Sequence, residues 1–253
     1  MESKNLIILP VTDKRVNTGK YFFVYPPILR SFYMKNSTSL HWLVLTSVLL
    51  ISAMLIGGCS QAYYGAMEKV GVHKRDILVD RVEKARDAQA DAQEEFKFAL
   101  EQFESVVYLE NTDLKMAYEK TNAAYKDSEK AAKTISEKIA SVEDVAEALF
   151  VEWESELEQY NSAELKRLSQ QKITETRSRY KKMLAVMHQA EYSMAPVLTT
   201  FHDNVLFLKH NLNAQAIGSL KGEFSQLQKQ IKSLIGEMNR AISSSNDFLA
   251  KLK

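Results

Sequence analysis

Five side chains beyond position 58 belong to the residue types that most often bind metals or act as nucleophiles or bases: Cys59, His73, His188, His202 and His210. A zinc site on a helix needs ligands three or four residues apart, but the nearest two of these histidines are eight apart. His202 and Asp203 are neighbours, and adjacent helical residues point in different directions. No glycine-rich phosphate loop and no serine-hydrolase motif is found. We therefore predict no catalytic residue, no metal site and no cofactor.

Cys59 is the only cysteine of the 253-residue chain, and it follows Ile56, Gly57 and Gly58. A branched apolar residue three positions before a cysteine, with small residues beside it, resembles the lipobox of bacterial lipoproteins. The resemblance implies cleavage before Cys59 and lipid attachment to that residue. Several acyl chains would anchor the protein stably, because each buried CH₂ contributes about 0.8 kcal/mol. Ser60, where many inner-membrane lipoproteins have an acidic residue, implies an outer-membrane lipoprotein facing the periplasm. An inner-membrane anchor is the alternative.

Residues 40–58 form an apolar run without Asp, Glu, Lys or Arg. The run suits the hydrophobic part of a signal peptide and is also just long enough for a transmembrane helix. Counted from Met1 the signal peptide would be too long, whereas counting from Met34 gives an ordinary length and a basic start at Lys35. We therefore predict that translation starts at Met34. A genuine extended leader, an uncleaved anchor and a buried structural cysteine stay open.

The composition favours a folded helical protein. With 45% hydrophobic residues the chain can form a core, and a single cysteine excludes a disulfide scaffold. A net charge of +1 gives no indication of nucleic-acid binding, and we predict none. Beyond residue 58 the chain has one proline, Pro196, and five glycines. These are too few turn-forming residues for a β-rich domain.

Apolar residues spaced alternately four and three apart are typical of a helix that faces a partner helix. This pattern occupies four stretches, 78–106, 114–160, 173–212 and 217–252. Polar residues interrupt it at Gln89 and Glu156, and one step, from Phe201 to Val205, is a residue too long. Glu156 either sets the register or shows that the assigned phase is off by one. Pro196 lies where the pattern continues, which predicts a kink in the third helix rather than its end.

The pattern changes phase between the stretches, which predicts three short turns. Asn111 or Thr112 is expected to cap the second helix, because asparagine and threonine favour that position. Asn161 and Glu164 have the spacing of a capping box at the start of the third helix. The last change of phase falls between Leu212 and Ile217, beside Asn211 and Asn213. Because each connection is short, neighbouring helices should run antiparallel.

These features predict an all-α fold, an elongated antiparallel bundle of about four long coiled-coil-like helices behind a lipoprotein signal peptide. Helices of about 38–50 residues would be about 57–75 Å long. The predicted parts are a spurious upstream extension (1–33), the signal peptide (34–58), a membrane-proximal segment (59–71) and the bundle (72–253). A heptad repeat does not reveal how many helices pack together. A bundle of three helices and an obligate dimer therefore remain possible architectures.

The segment 207–217 combines a turn with basic and amide side chains at one end of the predicted bundle. Antiparallel helices place this turn at the end far from Cys59, where a partner could be reached. We predict a partner-contact site formed by Lys209, His210, Asn211 and Asn213. Plain helix capping is the alternative.

Polar residues at predicted core positions raise a second possibility, a ligand-binding cavity. It would require convergence at one height of the bundle by Gln89, Thr121, Ser128, Glu156 and Thr176. Polar residues scattered along the bundle would favour a scaffold instead.

Two stretches, AYYGAMEKVGVHKRD at 62–76 and FLKHNLNAQA at 207–216, resemble a bacterial family known as a domain of unknown function. The resemblance covers about residues 60–250. Members of this family look like predicted lipoproteins of Gram-negative bacteria. The resemblance therefore implies a lipid anchor and brings no activity with it.

We therefore expect a non-enzymatic, lipid-anchored periplasmic coiled-coil protein that acts as a spacer, tether or adaptor in the envelope. Its expected partners are the membrane, through acylated Cys59, and an envelope protein. One alternative is an accessory subunit or small-ligand-binding helical bundle of the envelope. Another is a cytoplasmic coiled coil with a retained transmembrane segment. Oligomerisation stays open.

Overall fold

The computed structural model describes residues 62–108, 113–211 and 213–252, without the side chains of 214–216. They belong to one compact unit, residues 58–253. The predictions made for residues 1–58 and for Cys59 lie outside the described residues.

Four long helices make up the described chain: α1 (Lys74–Tyr108), α2 (Leu114–Glu156), α3 (Ala163–His210) and α4 (Ala214–Leu252). A single 3₁₀ turn, Leu157–Gln159, follows α2, and a short helix at 62–69 precedes α1. The long helices contain 35, 43, 48 and 39 residues, so they are about 53–72 Å long. The predicted all-α fold is confirmed.

The four helices form a closed antiparallel bundle. Each helix packs against the next in the chain, and α4 packs back against α1. The ammonium of Lys74, at the start of α1, lies 2.8 Å from Glu152 near the end of α2. At the other end, the rings of Phe103 in α1 and Phe224 in α4 lie 6.0 Å apart. We call the end with Lys74 and Glu152 the base, and the end with Phe103 and Phe224 the tip.

The core follows the heptad pattern of the sequence. In α1, every predicted position from Leu78 to Val106 is buried, and in α4 every one from Leu220 to Leu252. Aromatic side chains fill the wide layers: Tyr125 packs edge-on against Phe201 near the tip, at 5.6 Å. Burial of these side chains is the main stabilising contribution, about 1.5–3 kcal/mol for each large one before the loss of conformational entropy.

The pattern and the structure differ at several places. The predicted core position Tyr160 is 42% exposed, and Tyr118 and Trp153 are only half-buried. Two further differences fall at irregular points of the pattern. At the irregular step in α3, Asn204 is buried together with Val205, so both residues occupy the core layer.

At the end of α2, Glu156 is exposed and Leu157 is buried instead. Leu157 lies seven residues after Phe150, which is also buried, so the buried face of α2 has shifted by one residue near the end of the helix. Of the two interpretations of Glu156, the one with the phase off by one is therefore correct.

Both described caps lie beside the predicted ones. The carboxylate of Asp113 caps α2, accepting hydrogen bonds from the backbone N–H of Lys115 and Met116. Ser162 caps α3 through Leu165 N–H, so the prediction of Asn161 was wrong by one position. The two predictions failed because several good capping residues stand side by side in these turns.

Helix α3 continues through Pro196, as expected from the unbroken heptad phase. Proline cannot donate the backbone hydrogen bond of its turn, yet the core positions before and after it, Met194 and Val197, are both buried. Packing on the two sides of the proline thus keeps the helix in one piece.

The short helix turns back into α1 through a tight turn at 70–72. Gly71 has a φ of +85°, a conformation that residues with a Cβ rarely adopt. Backbone hydrogen bonds from Val70, Gly71 and Val72 to carbonyls of the short helix close the turn. Part of the segment predicted as membrane-proximal, 59–71, is therefore helical and lies against the bundle.

Candidate functional site

A buried lysine joins three elements at the base. The side chain of Lys74 is 8% exposed, and its ammonium bonds to the carboxylates of Glu152 and Glu68. Burial favours the uncharged amine, but the hydrogen bonds to both carboxylates outweigh it and raise the pKa of Lys74. The Lys74 ammonium lowers the pKa of Glu68, whereas burial raises that of Glu152. The three groups link the short helix to α1 and α2.

Tyr64 attaches the short helix to the bundle at a second place. Its ring is 1% exposed, and its hydroxyl donates a hydrogen bond to the carboxylate of Asp144. Burial, followed by the contact with Asp144, raises the pKa of the Tyr64 hydroxyl above its ordinary value. Close by, Arg81 of α1 donates to the hydroxyl of Ser141 on α2. The charged groups at the base are thus paired with one another in a structural arrangement.

His188 has two carboxylate partners that the sequence analysis did not identify. Its Nδ1 lies 2.8 Å from Glu191 Oε2 on the same helix, and its Nε2 lies 3.1 Å from Glu143 Oε1 on α2. Burial favours the neutral ring, but the hydrogen bonds with Glu191 and Glu143 outweigh it and raise the pKa of His188. The spacing of His188 and Glu191 was a visible signal, whereas Glu143 is brought in only by the packing of α2 against α3.

The polar residues at predicted core positions do not converge. Thr121 and Glu156 lie near opposite ends of α2, about 50 Å apart along the helix. Thr121 and Ser128 donate to carbonyls of their own helix, at 2.9 and 3.0 Å. Gln89 is fully buried, and its amide has no hydrogen-bond partner within the described part of the chain. Thr176 is buried on α3 towards the base. These five residues do not form the cavity that ligand binding would require.

At the tip, the four residues of the predicted contact site divide into two pairs. Lys209 and His210 are exposed in the last turn of α3. The Asn211 amide donates to the Phe207 carbonyl at 3.0 Å, and the Asn213 carbonyl accepts from Ile217 N–H at 3.2 Å. The asparagines therefore have helix-end roles, as in the capping alternative, and the basic pair is left on the surface.

Large apolar side chains are exposed around the same end: Tyr108, Met116, Leu206 and Phe207, each between 38% and 55% exposed. The Lys221 ammonium lies 5.8 Å from the centre of the Tyr108 ring, within cation–π range. Exposed apolar residues grouped in this way often mark a binding surface. The exposure of Leu206 and Phe207 could have been predicted from the sequence, because these two apolar residues lie between the core positions Val205 and Leu208.

The remaining predicted features are placed as follows. His202 Nδ1 lies 3.6 Å from Asp203 Oδ1, and both side chains are exposed. Across the described residues, no three His, Cys, Asp or Glu side chains come together in a way that could hold a metal ion. No helix in the described ranges is long and apolar enough to span a membrane. The apolar run 40–58 lies outside those ranges.

Comparison with known proteins gives one match. A family model described as "Protein of unknown function (DUF2959)" matches residues 63–252. Searches of curated proteins and of solved structures return no match to this chain. The match covers the short helix from its second residue and the whole bundle.

Proposed function

The chain belongs to the DUF2959 family of proteins of unknown function, and we propose that it is a non-enzymatic, lipid-anchored adaptor or tether of the bacterial cell envelope. In this proposal the signal peptide is cleaved between Gly58 and Cys59, at the end of the lipobox residues Ile56, Gly57 and Gly58. The acylated Cys59 then anchors the chain in the membrane. The location we propose is the periplasmic face of the outer membrane, with an inner-membrane anchor as the alternative.

One observation carries the proposal: the surface suited to a partner is distant from the place where the chain joins the bundle. Tyr64 fixes the short helix at the level of Asp144, about 45 Å along α2 from its first residue at the tip. The exposed apolar and basic side chains, including Phe207 and Lys209, lie at that tip. A protein that holds a partner at a set distance from its anchor needs this separation.

The interior supports a scaffold over a ligand-binding bundle. The core is apolar along its length, and the polar core residues are scattered rather than gathered at one height. Bonds from Thr121 and Ser128 to their own helix leave these hydroxyls without a role toward a ligand. For this reason we rank the accessory-subunit or ligand-binding alternative second.

The first experiment is the intact mass of the membrane-extracted protein beside that of Cys59→Ser. The proposal expects a chain that starts at Cys59 and carries added acyl mass, and a variant that lacks both. An uncleaved, unacylated wild-type chain would overturn the lipid anchor.

The partner surface is tested by a photo-cross-linking residue placed at Phe207. The matched control is Phe98, another exposed phenylalanine, in the body of α1 and 49% exposed. We expect a specific envelope-protein adduct from position 207 that Lys209→Glu weakens, and none from position 98. Equal adducts from both positions would contradict a partner site at the tip.

A further inference from the structure

The short helix joins the bundle on its flank and runs toward the base. Tyr64 bonds to Asp144, whereas Glu68, four residues later, meets Lys74 beside Glu152. Glu152 is about 12 Å nearer the base than Asp144 along α2. Because the short helix runs in that direction, its first residue, Ala62, lies no closer to the base than Tyr64 does.

The first residues of α3 extend past the base. The contact of His188 with Glu143 sets the level on α3 that matches the attachment of the short helix, and α3 begins at Ala163, about 37 Å further in the direction of the base. Glu152, at the base, lies only about 12 Å from that level. The first residues of α3 therefore extend well beyond the level at which the short helix is attached. The tip is about 45 Å away in the opposite direction.

Cys59 must lie close to Ala62. Three Cα–Cα steps of about 3.8 Å join them, so the two Cα atoms are at most about 11 Å apart. Acyl chains on Cys59 stay in the hydrocarbon, because withdrawing each CH₂ into water is unfavourable. A bundle that stood upright on the first residues of α3, which extend beyond the base, would hold Ala62 more than 30 Å above the lipid surface, beyond this reach.

We propose that the bundle lies with its α1–α2 flank against the headgroups of the membrane that holds the acyl chains, rather than standing upright on the first residues of α3. The inference rests on the proposed lipid anchor at Cys59. Its consequence is that the tip is displaced sideways along the membrane surface. The protein would then act as a surface-lying adaptor and not as an upright spacer.

The flank has the chemistry of a surface that meets mixed headgroups. An open groove of about 430 Å³ runs beside the short helix, with Tyr63 at its edge, 45% exposed. Aromatic rings with a polar atom are favoured at the headgroup level of a membrane. Basic and acidic side chains are mixed along the flank, among them Asp80, Lys84, Asp91, Asp127, Lys130 and Lys138. Such a balance suits phosphatidylethanolamine, whose headgroup carries a phosphate and an ammonium.

Depth-dependent quenching tests the orientation. Single cysteines carrying a fluorophore are placed in the acylated full-length protein, whose own Cys59 is blocked by lipid. Lys84→Cys reports the α1–α2 flank, and Gln189→Cys is the matched control. Gln189 is exposed at a similar level, and it lies about 100° around α3 from His188, whose ring faces α2. Gln171→Cys and Lys209→Cys report the start of α3 and the tip. The vesicles contain phosphatidylethanolamine, phosphatidylglycerol and a lipid with a nitroxide on its headgroup.

We expect quenching at position 84 to be several-fold stronger than at positions 189, 171 and 209. Strong quenching at position 171 with little at 84 would overturn the flank orientation in favour of an upright bundle. Equal quenching at 84 and 189 would overturn it as well. In both cases, an intact mass that includes acyl chains would still support the lipid anchor at Cys59. An intact mass without acyl chains would overturn both the anchor and the orientation.

A longer linker tests the reach argument. A flexible glycine–serine segment inserted between Ser60 and Gln61 releases the bundle from its short connection, so quenching at position 84 should fall toward that at position 189. Unchanged strong quenching would show that the short connection is not what sets the orientation, contrary to the proposal.

Discussion

The hydroxyl of Tyr64 donates a hydrogen bond to Asp144, 80 residues later in the chain and well inside α2. With its ring 1% exposed, Tyr64 belongs to the bundle core although it precedes the first long helix. The pair fixes where the short helix meets the flank. Any force transmitted from the N-terminal side of the chain reaches the bundle through this contact and through the ion pairs of Lys74.

Replacing Tyr64 should separate the packing of its ring from its hydrogen bond. Tyr64→Ala is expected to lower the free energy of unfolding by about 3–5 kcal/mol, because it removes a buried aromatic ring. Tyr64→Phe should cost only about 1 kcal/mol, the typical net value of one hydrogen bond. Urea unfolding followed by circular dichroism measures both. The control, Tyr63→Ala, removes an exposed neighbour and should cost less than about 1 kcal/mol; a larger loss there than at Tyr64 would refute the assigned packing.

Two phenylalanines of α1 provide a matched test of the core. Phe96 is fully buried, whereas Phe98 is 49% exposed. Phe96→Ala should lower the free energy of unfolding by about 3–5 kcal/mol, and Phe224→Ala in α4 by a similar amount. Phe98→Ala should change it by about 0.5 kcal/mol or less. Equal losses at positions 96 and 98 in urea unfolding would show that the helix faces a different direction.

Most of the fold could be predicted because the heptad pattern is a property of local spacing. The core positions from Leu78 to Val106 in α1 and from Leu220 to Leu252 in α4 follow from their neighbours three and four residues away, whatever the rest of the chain does. The details that failed depend on geometry at helix ends. Leu157 replaces Glu156 in the core because the buried face of α2 shifts by one residue at Phe150, and Ser162 caps α3 although Asn161 is chemically as suitable.

The candidate sites were harder to predict, because contacts between distant residues decide them. Tyr64 lies outside any heptad pattern, and Asp144 is an exposed residue between the core positions Val142 and Ala146. His188 needs Glu143 from another helix to acquire its second carboxylate. Lys209 and His210 were identified from the sequence and are exposed, but the asparagines beside them have backbone partners.

Gln89 should be a site where an apolar substitution stabilises the protein. Its side-chain amide is fully buried and unpaired in the described structure, and burying an unpaired amide costs about 1–3 kcal/mol in mutational data. Gln89→Leu is therefore expected to raise the free energy of unfolding by about 1–3 kcal/mol, measured by urea unfolding. Gln93→Leu is the control, because Gln93 donates to Asn239 at 3.0 Å and its loss should destabilise. If Gln93→Leu raised the free energy of unfolding and Gln89→Leu lowered it, the assignment of Gln89 as the unpaired amide would be wrong.

His188 should make the stability of the α2–α3 contact depend on pH. The carboxylates of Glu191 and Glu143 favour the protonated ring and, despite burial, raise the pKa of His188 above its value in the unfolded chain, about 6.5. A raised pKa contributes stability that is fully present below about pH 6.5 and is lost as the pH rises through the folded-state value. The difference in melting temperature between wild type and His188→Gln should therefore be larger at about pH 5.5 than at about pH 8.5. His73→Gln removes an exposed histidine and keeps the His188 contacts, so it isolates the effect. A difference that grows with pH would mean that the neutral ring is the form the two carboxylates hold.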